Sequence, residues 1–193
     1  MSSTEPKLKP KKIKPKSNWW GNFKENSLTV VVALTLALII RVFIAEPRYI
    51  PSESMFPTLE TGDRLVIEKV GYKLHPPIKG DIIVFQPPEM LMLIGNFDKS
   101  QAFIKRVIAQ PGETVAVKNG VVYVNDLPLV ENYIAAPPEY ELITVTVPEG
   151  QLFVMGDNRN NSNDSHIWGF LPIENAIGHA VFRFWPPERI GTV

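Results

Sequence analysis

Two serines spaced by one residue, Ser52 and Ser54, stand in the stretch Pro51-Ser52-Glu53-Ser54-Met55-Phe56-Pro57-Thr58-Leu59. The flanking prolines stiffen this loop and hold a hydroxyl in one place. A serine becomes a nucleophile only beside a general base. The three histidines, His75, His166 and His179, lie far apart, and none shares a segment with the serine pair. The other solution is a neutral lysine. Lys105 interrupts the apolar, strand-like run Ala102-Phe103-Ile104-Lys105-Arg106-Val107-Ile108-Ala109. Loss of water around its ammonium would lower its pKa, as a lysine base requires. The adjacent Arg106 points to the opposite face if the run is a strand.

A third segment is dense in Asn, Asp and Ser: Gly156-Asp157-Asn158-Arg159-Asn160-Asn161-Ser162-Asn163-Asp164-Ser165-His166-Ile167-Trp168-Gly169. Such composition suits side chains that replace backbone hydrogen-bond partners in turns. A calcium loop fails on spacing, with Arg159 at the third position and no Glu at the twelfth. Asn160 and Asn163 each begin an Asn-x-Ser glycosylation pattern, which matters only in a glycosylating compartment. The chain has no cysteine, so disulfides, thiol nucleophiles and zinc-thiolate sites are excluded. G-x-S-x-G and S-x-x-K are absent, and no phosphate-binding loop, metal site or cofactor is expected.

The elements that must position these segments follow from charge and hydropathy. The 193 residues carry 20 basic and 20 acidic side chains, yet the balance is a cancellation. Through Ala45 there are eight basic residues against two acidic ones, and beyond it twelve against eighteen. Residues 1–26 form a Lys/Pro/Ser-rich arm expected to be disordered. Residues 27–45 include LTVVVALTLALII and resume after Arg41, and eighteen helical residues span about 27 Å, close to a bilayer's hydrocarbon. The lysine-rich flank orients this span with its N-terminus cytoplasmic and residues 46–193 on the far side. The same flank makes the arm a topogenic signal, and no nucleic acid partner is expected. Phe43 is too bulky for a cleavage site after Ala45, so the span is a retained anchor. Short β-branched runs at 64–67, 81–85, 114–117, 121–124, 142–147, 151–155 and 179–185, closed by Gly, Pro or Asn, predict a mainly β domain. Asn125-Asp126 reads as a hairpin turn. Met90-Leu91-Met92-Leu93-Ile94 reads as a buried strand, or as an apolar loop that dips into lipid.

In this order and beyond a span, PSESMFPTL, GDIIVF, FIKRVIAQPGETV and GDNRNNSNDSHIWG resemble the bacterial type I signal peptidases, most of all the cyanobacterial and thylakoidal branch. The resemblance covers the chain outside the basic arm. It implies a β domain of coiled antiparallel sheets, as in signal peptidases and the repressor proteases, behind one transmembrane helix. It also implies a Ser-Lys dyad that cleaves signal peptides from preproteins at the membrane's outer face. Residue by residue, it makes Ser54 the nucleophile and Lys105 the base. Ser52 joins the Ser54 N–H in an oxyanion hole, Ser162 orients the lysine, and Asp164 supports the loop. Ile50, Met55, Leu59 and Ile104 would line pockets for small residues at positions −1 and −3. Two positions depart from the family pattern: Glu53 stands where glycine is frequent, and His166 where arginine is frequent. Plasma and thylakoid membranes both fit this reading, and the oligomeric state stays open. A self-cleaving repressor would need a DNA-binding segment where the apolar run stands. A membrane-anchored adhesin or assembly factor is the nonenzymatic alternative.

Overall fold

The computed structural model describes residues 19–193, with side chains from Asn26 onward apart from Lys73. Most of the expected basic arm, residues 1–18, lies outside the described residues. The chain divides into two units, residues 1–38 and 39–193, each considered by itself. Helix α1 (Trp19–Ile39) starts eight residues before the expected start of the span, because no proline interrupts the chain between Pro15 and Pro47. A π-helical turn follows at Ile40–Ile44. Among the described residues, Asn26–Ile44 forms 19 helical residues long and apolar enough to cross a membrane. Ala45 already takes extended dihedrals, consistent with Pro47 barring further helix.

The second unit is built on two antiparallel sheets. Strands β1 (Ala45–Tyr49), β2 (Arg64–Glu68), β3 (Ile82–Phe85), β4 (Phe103–Ala109), β9 (Gln151–Met155), β10 (Leu171–Pro172), β11 (Ala176–Trp185) and β12 (Gly191–Thr192) form the larger one. Its order is β1-β2-β11-β3-β4-β9-β10, with β12 beside β11. The smaller sheet has the order β7-β6-β5-β8, from β5 (Thr114–Lys118), β6 (Val121–Val124), β7 (Leu127–Pro128) and β8 (Leu142–Thr146). Asn125 and Asp126 both adopt positive φ in the turn between β6 and β7, as a two-residue hairpin requires. Strand β1 was not expected. Its proline sits on the sheet edge, where a missing N–H is tolerated.

Burial explains why β3 is apolar throughout. Ile82 and Val84 enter one core with Ile50, Met55, Leu59, Leu65 and Ile67, whereas Ile83 and Phe85 enter another with Val107, Leu152 and Trp168. A strand covered on both faces needs no polar alternation. A bulge between Val107 and Ala109 then bends β4. Past it, Ile108 and Ala109 join the third core, which the smaller sheet closes with Val115, Val117, Val122 and Val124.

Helix α2 (Gly71–Leu74) follows β2. Met90–Ile94, read from sequence as a strand or loop, is helical: α3 runs from Glu89 to Gly95. Five apolar residues are too few to distinguish strand from helix by period. The ends decide: Pro88 precedes the first turn, and Asn96 closes the last in the left-handed region.

Candidate active site

Ser54 lies in the loop from β1 to β2, and the loop is pinned from both sides. Met55 and Leu59 are joined by a Leu59 N–H bond to the Met55 carbonyl, so both fall on the inner side of a turn and are fully buried. From the other side, the Asn158 N–H donates to the Ser54 carbonyl at 3.1 Å, and Asn158 Nδ2 donates to the Glu53 carbonyl at 3.1 Å. Ser54 is left half-buried, with its hydroxyl free to face β4. Glu53 avoids positive φ, so the loop does not depend on a glycine at this point.

Lys105 rises from the middle of β4 and is only 3% exposed. Its Nζ stands 2.8 Å from Ser54 Oγ and donates to the Ile104 carbonyl at 2.9 Å. Burial pushes its pKa down to about 8, against the opposing pull of the Asp164 and Asp157 carboxylates. At that value about a tenth of the amine is neutral at pH 7 and free to accept a proton. Ser52 Oγ is 3.5 Å from Ser54 Oγ, at the outer limit of a hydrogen bond. Ser52, Glu53, Ser54, Phe103, Lys105, Asn161 and Asn163 line a cavity of about 220 Å³.

The structure brings the other expected residues near this centre in different ways. Ile50 and Ile104 line a smaller cavity of about 80 Å³ together with Val84, Ala102 and Phe103. Met55 and Leu59 line neither cavity and instead plug the core beneath the loop. Ser162 Oγ is buried without a hydrogen-bond partner among the described residues, and so does not hold the lysine amine directly. It packs against Gly156, where an added Cβ would collide with both Ser162 Oγ and the Ser54 carbonyl oxygen. Asp164 is fully buried: Oδ2 accepts the Gly156 N–H at 2.9 Å, and Oδ1 lies 2.7 Å from His166 Nδ1. Thus His166 takes up the carboxylate partner's place, and its ring stacks on Tyr140 with centroids 4.0 Å apart.

Several supporting residues had no sequence signal of their own. Arg106, beside the lysine, turns away and grips Asp157 with two hydrogen bonds of 2.8 and 2.6 Å. Asp157 also accepts from Thr58 Oγ1 at 2.5 Å, tying the serine loop to β4. Fully buried Arg159 donates to the Gly156 carbonyl at 2.9 Å and to both oxygens of Glu131 at 2.9 and 2.6 Å. A planar guanidinium suits such two-pronged pairing. The Arg106–Asp157 and Arg159–Glu131 pairs fix the start of the polar segment that carries Gly156, Ser162 and Asp164. Asp157 and Arg159 lay inside a segment already singled out; Glu131, in a proline-flanked loop, did not.

A serine hydroxyl touching a buried amine of lowered pKa, at the mouth of a cavity on a curled β scaffold, can do the chemistry of a nucleophilic hydrolase. Comparison with known proteins names the group more closely. The profile of the family "Signal peptidase, peptidase S26" matches residues 23–185, and the chain belongs to that family. It is accordingly a peptidase. A protein described as probable signal peptidase I-1 of Synechocystis sp. is 65% identical over 172 residues, covering 89% of this chain and 87% of that one. Signal peptidase I of Leptolyngbya laminosa is 52% identical over 186 residues, covering 96% and 90%. A probable chloroplastic thylakoidal processing peptidase 2 of Arabidopsis thaliana is 42% identical over 197 residues, covering 98% of this chain and 53% of its own length. A solved signal peptidase I from Enterococcus faecalis matches 53% of this chain and 95% of its own, at 32% identity and a TM-score of 0.45.

Proposed function

We propose that this chain is a membrane-anchored endopeptidase that removes N-terminal signal peptides from exported preproteins with a Ser54–Lys105 dyad. The 2.8 Å contact between Ser54 Oγ and a buried lysine of pKa about 8 carries the reading. Neutral Lys105 takes the Ser54 proton as Oγ attacks the scissile carbonyl carbon. The oxyanion is met by the Ser54 N–H and the Ser52 hydroxyl. Collapse breaks the C–N bond, and the Lys105 ammonium returns its proton to the departing amine of the mature chain. Water, deprotonated by the same amine, then hydrolyses the acyl ester and frees Ser54. Asp164, held by His166 and the Gly156 N–H, supports the loop around Ser162. The cavity beside Ile50 and Ile104 suits the small side chains at −1 and −3, since about 80 Å³ is the room of two or three waters.

Asn26–Ile44 is the anchor in this reading, with the lysine-rich N-terminus cytoplasmic and the catalytic unit outside. Ser54 lies nine positions beyond Ala45, a reach of about 30 Å at most, so the nucleophile stays close to the bilayer where a membrane-inserted signal peptide is cut. A plasma or a thylakoid membrane would serve equally. The test is cleavage of an Ala-x-Ala preprotein by detergent-solubilised protein. Ser54→Ala and Lys105→Ala should each abolish processing with the fold intact, and activity retained in either overturns the dyad.

A further inference from the structure

Glu53 stands between the two site serines with its backbone fixed and its charge unused. Its carbonyl accepts the Phe56 N–H at 3.0 Å and Asn158 Nδ2 at 3.1 Å, which sets where the side chain leaves the loop. The residue is exposed and lines the cavity of about 220 Å³ beside Ser54. Its carboxylate forms no ion pair among the described residues. Nor does it act on the base: the carboxylates that pull on Lys105 are those of Asp164 and Asp157. The charge is left to act on whatever enters the cavity.

Strand direction says which part of a bound chain that is. Strands β1, β11 and β4 run one way, and β2 and β3 run the other. Residues 48–51, leaving β1, and residues 102–104, entering β4, line the smaller cavity of about 80 Å³. The next residues on each path, 52–54 and Lys105, line the larger one, and Phe103 borders both. The two cavities therefore follow one another along a shared chain direction, with Ser54 at their junction. With the −1 and −3 side chains in the smaller cavity, the residues after the cut leave through the larger. Lys105 is the one cation lining that exit, and it is only 3% exposed. The exit otherwise offers acceptors and amides: the Glu53 carboxylate, Asn161, and Asn163, whose buried Oδ1 has no donor among the described residues.

We propose that Glu53 determines specificity on the leaving side of the cut, disfavouring acidic residues at +1 and +2 of the preprotein and favouring basic ones. The inference rests on the proposed cleavage by Ser54 and adds the portion of substrate that the −1 and −3 cavity does not read. Charges that stay in contact with water interact weakly, so each favourable or unfavourable pairing changes kcat/KM by about two- to fivefold. Salt should screen the effect, since both charges are exposed.

The test uses full-length protein in detergent and three peptides that share a signal-sequence portion ending in Ala-x-Ala. They differ only at +2, which is Glu, Gln or Lys. Values of kcat/KM are compared within each variant across the three peptides, so any loss of folded protein cancels. Wild type should prefer the Lys peptide to the Glu peptide by about five- to tenfold, and the preference should shrink at high ionic strength. Glu53→Gln should level the two, and Glu53→Lys should reverse their order. Glu149→Lys, on the exposed turn before β9, makes the same change in net charge and should keep the wild-type order. The rise in rate near pH 8 should be the same in wild type and Glu53→Gln, which separates an effect on the substrate from one on Lys105. A wild type that cleaves all three peptides alike, a preference that survives in Glu53→Lys, or an equal loss on every peptide in both Glu53 variants overturns the proposal and leaves the cleavage reading standing. Failure of wild type to cut any of the peptides overturns the cleavage reading, and the proposal with it.

Discussion

Holding Lys105 in a buried site has a cost that pH should expose. Its pKa falls from 10.5 to about 8, which at 1.36 kcal/mol per pH unit amounts to about 3 kcal/mol. The unfolded chain keeps the lysine proton until pH 10.5, whereas the folded chain releases it near 8. Unfolded protein therefore binds more protons between those values, and stability rises with pH across that window. Below pH 8 the folded state bears the full penalty of a charged, buried amine. Replacing the amine in Lys105→Met keeps length and apolar contact but removes the penalty. It also removes the bonds to Ser54 and the Ile104 carbonyl, each worth about 1 kcal/mol, so the variant at pH 7 should be more stable by about 1 kcal/mol while inactive. The sharper quantity is the difference between wild type and variant, measured by urea unfolding in mild detergent from pH 6.5 to 10.5. Groups other than Lys105 cancel in that difference. It should be flat below pH 8 and move by about 3 kcal/mol in favour of the wild type by pH 10.5. A difference that stays flat throughout would refute the reasoning that burial has depressed this lysine.

Other expectations follow from the supporting residues. Ser52→Ala should lower kcat by about a hundredfold or more with little change in KM, since an oxyanion donor contributes about 3 kcal/mol in the transition state only; steady-state kinetics on a peptide substrate separate the two. Gly156→Ala should damage both fold and activity, because the added methyl meets Ser162 and the Ser54 carbonyl; loss of activity together with a lowered Tm is the expected pair of results. Glu131→Gln should destabilise the protein by about 3 kcal/mol or more by leaving the buried Arg159 without its counter-charge, which denaturant unfolding reads directly.

Residues whose chemistry is local could be read in the sequence. Ser54 stands out by its proline-fenced loop, whereas Lys105, one of a Lys-Arg pair in an apolar run, gains its weight from the motifs around it. The strands of the core, such as Ile82–Phe85 and Gln151–Met155, carry enough β-branched and apolar residues to declare themselves. Features created by distant pairing could not be read. Strand β1 contains Glu46, Pro47 and Arg48, and is a strand only because β2 supplies five paired positions. Glu131 is charged and looks solvated until Arg159, 28 residues away, is folded against it. Met55 and Leu59 have the apolar character of pocket residues, but the turn that joins them points both into the core. Helix α3 was hidden for a related reason: its composition favours no period, and its capping residues decide its form.

The central claim, that Ser54 attacks with Lys105 as its base, is tested most directly by covalent capture. Full-length protein is treated with an active-ester peptide bearing alanine at −1 and −3, and the adduct is mapped by mass spectrometry across a pH series. The account predicts acylation on Ser54, with a rate that rises with deprotonation of one group near pH 8 and vanishes in folded Lys105→Met. An adduct on another residue, or acylation of Ser54 that proceeds unchanged without Lys105, would contradict it.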